Sequence, residues 1–325
     1  MYSKHFALSW KYAHIRVGAC IKPKHVRQLG CPGMKRFAAR TVAGLTVVCG
    51  LYCTIQTASS QGANAGGDAA PNIVVAAVNL APHALPLLSQ DCRSNWVAGD
   101  KYRRPLRGLR RAVREHREPR VLAIGSSSTA GVGASRPANT YVAKLESSLE
   151  TAFKGVDFDV IGRGVSGEVA EGQSARMKQT VEDVKPDLVL WQVGTNDALR
   201  HVDIESFKNC LRRTLAWLAD NKFDVMLVDP QYGDALAKDA FYGQVVSAIA
   251  EIAAEKNVLL LDRFEAMRQL SRERGDTFYL ASDQLHLNDT GHRCMAEQLA
   301  RAIVAGVLQA DHDATPDAQL DTGRN

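Results

Sequence analysis

Acidic residues are missing from the first 67 positions of this 325-residue chain: the first is Asp68, whereas basic residues begin at Lys4. Residues 1–120 carry 19 Lys and Arg against 5 Asp and Glu, and residues 121–325 carry 21 against 30. The net charge of +5 thus comes wholly from the leading third, and the acidic remainder is a poor match for a polyanion, so no nucleic-acid partner is expected. Aromatic residues are few, at 6%, but 46% of the chain is apolar, ample for an ordinary globular core. No C-x-x-C or clustered Cys/His pattern occurs among the seven cysteines, which argues against a metal centre. No cofactor is expected either.

A long membrane-spanning run is also missing from the leader. The apolar stretch from Thr41 to Ile55 is short of the roughly 20 residues a spanning helix needs. It follows Met34-Lys35-Arg36 and Arg40 and precedes Ala63-Asn64-Ala65, and that order of basic, apolar and A-x-A segments is a secretory signal. Export to the periplasm or medium is expected, with an uncleaved signal-anchor as the alternative. Met34 is a candidate true start, residues 1–33 lying ahead of the signal without clear periodicity. Tyr52 stands before Cys53 where a lipid-attachment signature needs a small residue. Four cysteines fall in this leader, and the remainder keeps Cys92, Cys210 and Cys294. Cys210 and Cys294 lie in apolar helical patterns, so buried free thiols are expected, one disulfide being the alternative.

The rest divides by pattern. Residues 1–65 form the extension and signal, and 66–118 a linker with a basic amphipathic segment. A catalytic domain spans 119–308, and 309–325 a polar, disordered tail. Within Lys101–Arg120, Leu106, Leu109 and Val113 recur at helical spacing. This is either a solvated surface helix or a weak contact for an anionic membrane or polysaccharide. From Val121, apolar runs at 121–124, 156–161, 187–193, 223–228 and 257–261 read as strands. Helical patterns follow them at 138–153, 170–184, 204–221, 239–256 and 289–308. Strictly alternating strands and helices imply a five-stranded parallel sheet covered on both faces, with the ligand site beyond the carboxyl ends of the strands.

Four motifs fall at or near that edge. Gly125-Ser126-Ser127-Ser128-Thr129 follows the first strand, Ser166-Gly167-Glu168 the second, and Gly194-Thr195-Asn196-Asp197 the third; Asp283-Gln284-Leu285-His286 precedes the last helix. In order they offer a nucleophile, oxyanion donors and a base with its orienter, since an acid three residues before a His can reach its ring within one turn. Two decoys are set aside. A phosphate loop would end in Gly-Lys-Ser/Thr, but Gly131 is followed by Val132. Gly162-Arg163-Gly164-Val165-Ser166-Gly167 has G-x-G-x-x-G spacing but does not open the first βα unit.

Over residues 119–307 the chain resembles the SGNH (GDSL-like) hydrolase superfamily of esterases, lipases and acyltransferases, whose blocks occur here in family order. The resemblance implies a flavodoxin-like three-layer α/β/α sandwich. It places the nucleophile on Ser127, the oxyanion donors on Ser127, Gly167 and Asn196, and the acid and base on Asp283 and His286. Two departures stand out: Ser126 replaces the family's aspartate before the nucleophile, and Gly162-Arg163 replaces the asparagine that often opens the second block. With three serines adjacent, the choice of Ser127 rests on the register of Thr129 and Gly131. The expected function is an exported serine esterase acting on a small-molecule or carbohydrate-linked ester. An O-acyltransferase with the same triad, or a non-catalytic flavodoxin-like binding module, is the alternative.

Overall fold

A computed structural model describes residues 85–93 and 104–313, with the side chains of the last helix through Ala310. The signal, Met34 and the end of the tail lie outside the described residues. Five strands, β1 (Arg120–Gly125), β2 (Asp159–Gly164), β3 (Leu188–Gln192), β4 (Asp224–Val228) and β5 (Leu259–Leu261), pair in parallel in the order β2-β1-β3-β4-β5. This is the flavodoxin-like order, with its switch point between β1 and β3.

The period-two alternation of the strands feeds two separate cores. Val121, Ala123, Leu188, Leu190, Met226, Val228, Leu259 and Leu261 face one. It is completed by α1 (Arg107–Arg114), α3 (Tyr141–Ala152), α8 (Arg263–Arg274) and α9 (Asp289–Asp313). Leu122, Ile124, Val189, Trp191, Val225, Leu227 and Leu260 face the other, against α4 (Ala170–Val184), α6 (Ile204–Asp220) and α7 (Ala240–Glu255). Two short helices, α2 (Ser127–Ala130) and α5 (Thr195–Leu199), follow β1 and β3 directly. Among the described residues no helix is long and apolar enough to cross a membrane.

Several expectations need correction. Cys294 is not a free thiol: it is bonded to Cys92, 202 residues earlier, and among the described residues only Cys210 is free, buried in α6. The apolar pattern of α9 marks Cys294 as buried but cannot show that a segment from before the domain covers it. Residues 85–93, read as linker, are fastened there by the disulfide, by Arg293 and Arg274 on Asp91, and by Ser89 N–H on the Glu297 carboxylate at 2.7 Å. In α1, Leu109, Ala112 and Val113 are buried, so its apolar stripe belongs to the domain core. Helix α9 continues to Asp313, beyond the expected tail boundary. Helix α8 had no counterpart in the pattern. Most of it is polar, and it is held by Met267 and Leu270 in the core and by the Asp262 side chain capping Glu265 N–H.

Candidate active site

Strand β1 ends at Gly125 and the chain turns at once into α2, whose first residue is Ser127. The three serines are not equivalent. Ser126 and Ser128 are 2% and 3% exposed, while Ser127 is only partly buried and thus the hydroxyl a substrate can reach. Ser126 N–H and Oγ bond to Gln192 Oε1 at 3.0 and 3.3 Å, and Thr129 Oγ1 lies 3.3 Å from the same oxygen. Gln192, the buried last residue of β3, therefore ties the nucleophile turn to the neighbouring strand. It went unnoticed in the sequence, where the only signal is one polar residue inside Leu188-Val189-Leu190-Trp191-Gln192-Val193.

Gly167 follows β2 and has φ +77°, a left-handed conformation that only glycine adopts without strain. Its loop is held from three sides. Asn196 Nδ2 donates to the Glu168 carbonyl at 3.0 Å. The Asp197 carboxylate accepts Ala170 N–H at 3.0 and 3.2 Å. Arg176 pairs with Glu168 at 2.7 Å, while its Nη2 also donates to the carbonyls of Gly125 and Arg163. One proton of the Asn196 amide is thereby used, leaving the other for a ligand. Asp197 is 2% exposed, and burial lifts its pKa from the ordinary 3.8 to about 6 against the pull of its backbone donors.

Asp283 and His286 lie on the loop before α9, in a turn passing through Gln284 at φ +55°. Asp283 Oδ1 accepts Leu285 N–H and His286 N–H, each at 3.0 Å, and Oδ2 meets His286 Nδ1 at 2.6 Å. Burial opposes ionisation of Asp283, but these bonds outweigh it and hold the carboxyl down at about 2. The same bond places the proton of a neutral imidazole on Nδ1 and leaves Nε2 with its lone pair.

The loop continuing from Ser127 packs on the loop carrying His286. Val132 N–H bonds to the Ser127 carbonyl at 3.0 Å, and Ser135 N–H and Oγ bond to Asp289 at 2.7 and 2.6 Å. A β-carbon at Gly133, φ +92°, would collide with the Leu287 carbonyl oxygen and sit 3.1 Å from His286 Cβ. The second histidine nearby, His292, is fully buried between Tyr141 N–H and the Val132 carbonyl, and burial lowers its pKa; it is structural. Val132, Val165 and Leu199, 37%, 48% and 43% exposed, sit on the three segments that carry Ser127, Gly167 and Asn196.

The G-x-G-x-x-G spacing has no phosphate-binding shape, because Gly162 and Gly164 lie within β2 and α4 begins only at Ala170. Among the described residues no group of His, Cys, Asp and Glu is arranged to hold a metal ion.

Fold and relatives together define the class: a hydrolase acting on ester bonds. The chain belongs to the Non-GDSL lipase-like family, which it matches over residues 97–309. It is 27% identical over 212 residues to an acetylxylan esterase of Geobacillus stearothermophilus, covering 57% of this chain and 93% of that one. To an arylesterase of Vibrio mimicus it is 26% identical over 195 residues, covering 57% and 88%. The crystal structure of Axe2, an acetylxylan esterase from Geobacillus stearothermophilus, superposes with a TM-score of 0.50 at 24% identity, covering 57% of this chain and 94% of that one, a likeness of fold.

Proposed function

We propose that this protein is an exported serine esterase of SGNH type that cleaves carboxylic esters through Ser127, His286 and Asp283 by way of an acyl-enzyme. The observation that carries the proposal is the 2.6 Å bond from the His286 ring to an Asp283 carboxylate held ionised, on a loop packed against the one that follows the single accessible serine of the Gly125 turn. His286 Nε2 takes the proton of Ser127 as Oγ attacks the ester carbonyl, and Asp283 keeps the ring oriented and balances the imidazolium. The negative oxygen that forms is stabilised by the amides of Ser127 and Gly167 and the second proton of Asn196 Nδ2. As the first residue of α2, Ser127 has an N–H with no intrahelical partner. The alcohol leaves with the proton from His286. Water, deprotonated by the same ring, then releases the acid.

Acetyl esters on carbohydrate are the favoured substrates, supported by the acetylxylan esterase among the relatives and by the exposed Val132, Val165 and Leu199 on the segments that carry the motifs, which suit an uncharged ester. Catalytic variants of Axe2 replace a serine, an aspartate and a histidine, the last two three positions apart as are Asp283 and His286 here. The Cys92–Cys294 bond fits an oxidising, extracytoplasmic compartment. The domain limits 119–308 are extended in this proposal to include α1 and residues 85–93, which pack on the same core.

The test is release of p-nitrophenol from p-nitrophenyl acetate by the full chain, beside Ser127→Ala. Serine-dependent release that leaves the variant folded is expected. Equal rates in the two proteins would remove Ser127 as nucleophile. No release from the folded wild type, with acyl transfer on adding a sugar acceptor, would make the protein a transferase.

A further inference from the structure

We infer that Gln231 is a positioning residue that holds the oxyanion asparagine and the general-base histidine in register, a role that rests on the esterase function proposed above. Gln231 lies just beyond β4, between the loops that carry those two groups, and is 2% exposed. Its Oε1 accepts from Thr195 Oγ1 at 2.9 Å and from Arg263 Nη2 at 3.0 Å, and its Nε2 donates to the Leu285 carbonyl at 3.0 Å. Thr195 immediately precedes Asn196, and Leu285 immediately precedes His286. One planar amide thus spans from the residue before the oxyanion donor to the residue before the base.

Its orientation is determined by its partners. Arg263 can only donate and the Leu285 carbonyl can only accept, so a flipped amide would face donor with donor and acceptor with acceptor. The base of this bridge is rigid. The Gln231 carbonyl accepts Tyr242 Oη at 2.8 Å, and Arg263, 1% exposed, is anchored through Nε to the Asp229 carbonyl at 3.0 Å. No residue of the nucleophile turn takes part, so the bridge acts on the relation of Asn196 to His286.

A buried glutamine that merely satisfies its neighbours would also be bonded this way, and the two roles separate in Gln231→Glu. That substitution keeps the shape and the acceptor facing Thr195, and it gives Arg263 a carboxylate partner, which supports the fold. It also turns an oxygen toward the Leu285 carbonyl, so the tether to the His286 loop becomes a repulsion. With p-nitrophenyl acetate as substrate and the full chain as enzyme, kcat should fall roughly 10- to 100-fold, with KM little changed and the unfolding midpoint kept, because a shift of an ångström or less in a catalytic group costs rate on that scale. Thr195→Val, which cuts the other end, should also lower kcat. The double variant should fall no further than the weaker single one, since one tether cannot be broken twice.

Wild-type kcat in a folded Gln231→Glu protein would overturn the inference, as would a loss confined to KM. If that variant does not fold, Thr195→Val decides: a lowered kcat sustains the tether and an unchanged one refutes it. A folded wild type without serine-dependent turnover would instead sink the esterase proposal, and the tether with it. An active wild type with indifferent variants sinks the tether alone.

Discussion

Removing the side-chain amide of Asn196 is the perturbation whose two effects can be told apart by size. In the resting enzyme one Nδ2 proton is bonded to the Glu168 carbonyl at 3.0 Å, at a partly buried site. Asn196→Ala deletes that bond, and a partly solvated carbonyl that can turn to water costs about 1 kcal/mol. For a domain of this size that lowers the unfolding midpoint by about 2–4 °C. The catalytic effect should be far larger. In the proposed mechanism the second proton stabilises an oxygen that is charged only near the transition state, and loss of one such donor costs about 3–4 kcal/mol, or roughly 10²–10³ in kcat. The ground-state carbonyl gains little from that donor, so KM should hardly move. Initial rates across a range of p-nitrophenyl acetate concentrations, paired with a thermal melt, measure both quantities on one preparation. A variant that melts a few degrees early but turns over within a few-fold of wild type would show that Asn196 serves only to fasten the Gly167 loop, and the oxyanion assignment would be withdrawn.

Two further outcomes concern stability. Burial raises the Asp197 pKa to about 6, so the folded protein keeps a proton that the unfolded chain loses above its ordinary 3.8. The stabilisation is complete below pH ~4 and is lost as pH rises through ~6, up to about 3 kcal/mol from this group. Urea titrations of wild type and Asp197→Asn from pH 4 to 7 should show their stability difference changing by that order, and a constant difference would contradict the assignment. The Cys92–Cys294 bond closes a loop of 202 residues. Reduction, or Cys92→Ser, should therefore cost about 2–5 kcal/mol. Unchanged denaturation midpoints with and without reductant would show that residues 85–93 do not help to hold the domain.

Elements whose signal is local were legible. Helix α4 has the expected bounds of 170 and 184, and α6 and α7 differ from expectation by a residue or so, because each buries one regular stripe against the sheet. The strands were visible as near-continuous apolar runs, as required of a sheet covered on both faces. Strand β2 starts at Asp159 and not at 156, because Val156 and Phe158 are buried in the core before ladder pairing begins opposite Arg120. Helix α8 was illegible because its buried face mixes Arg263 and Ser271 with Ala266, Met267 and Leu270, and Asp262 capping it is a bond that composition does not reveal.

The site divides along the same line. The order of strands and helices, the small turn after β1, and an aspartate one helical turn ahead of His286 are properties of neighbours in the chain, and these alone determined the sheet, the edge where the motifs gather and the Asp283–His286 pair that the proposed mechanism uses. Which of three adjacent serines is reachable was decided only when Ser126 turned onto Gln192 and Ser128 was buried. The partners of Cys294, the Asp197 clasp on α4 and the bridge through Gln231 join residues between 27 and 202 positions apart. Such bonds leave no periodicity in sequence: a polar side chain inside an apolar stretch shows that a partner must exist, and only the packing of distant elements selects which one.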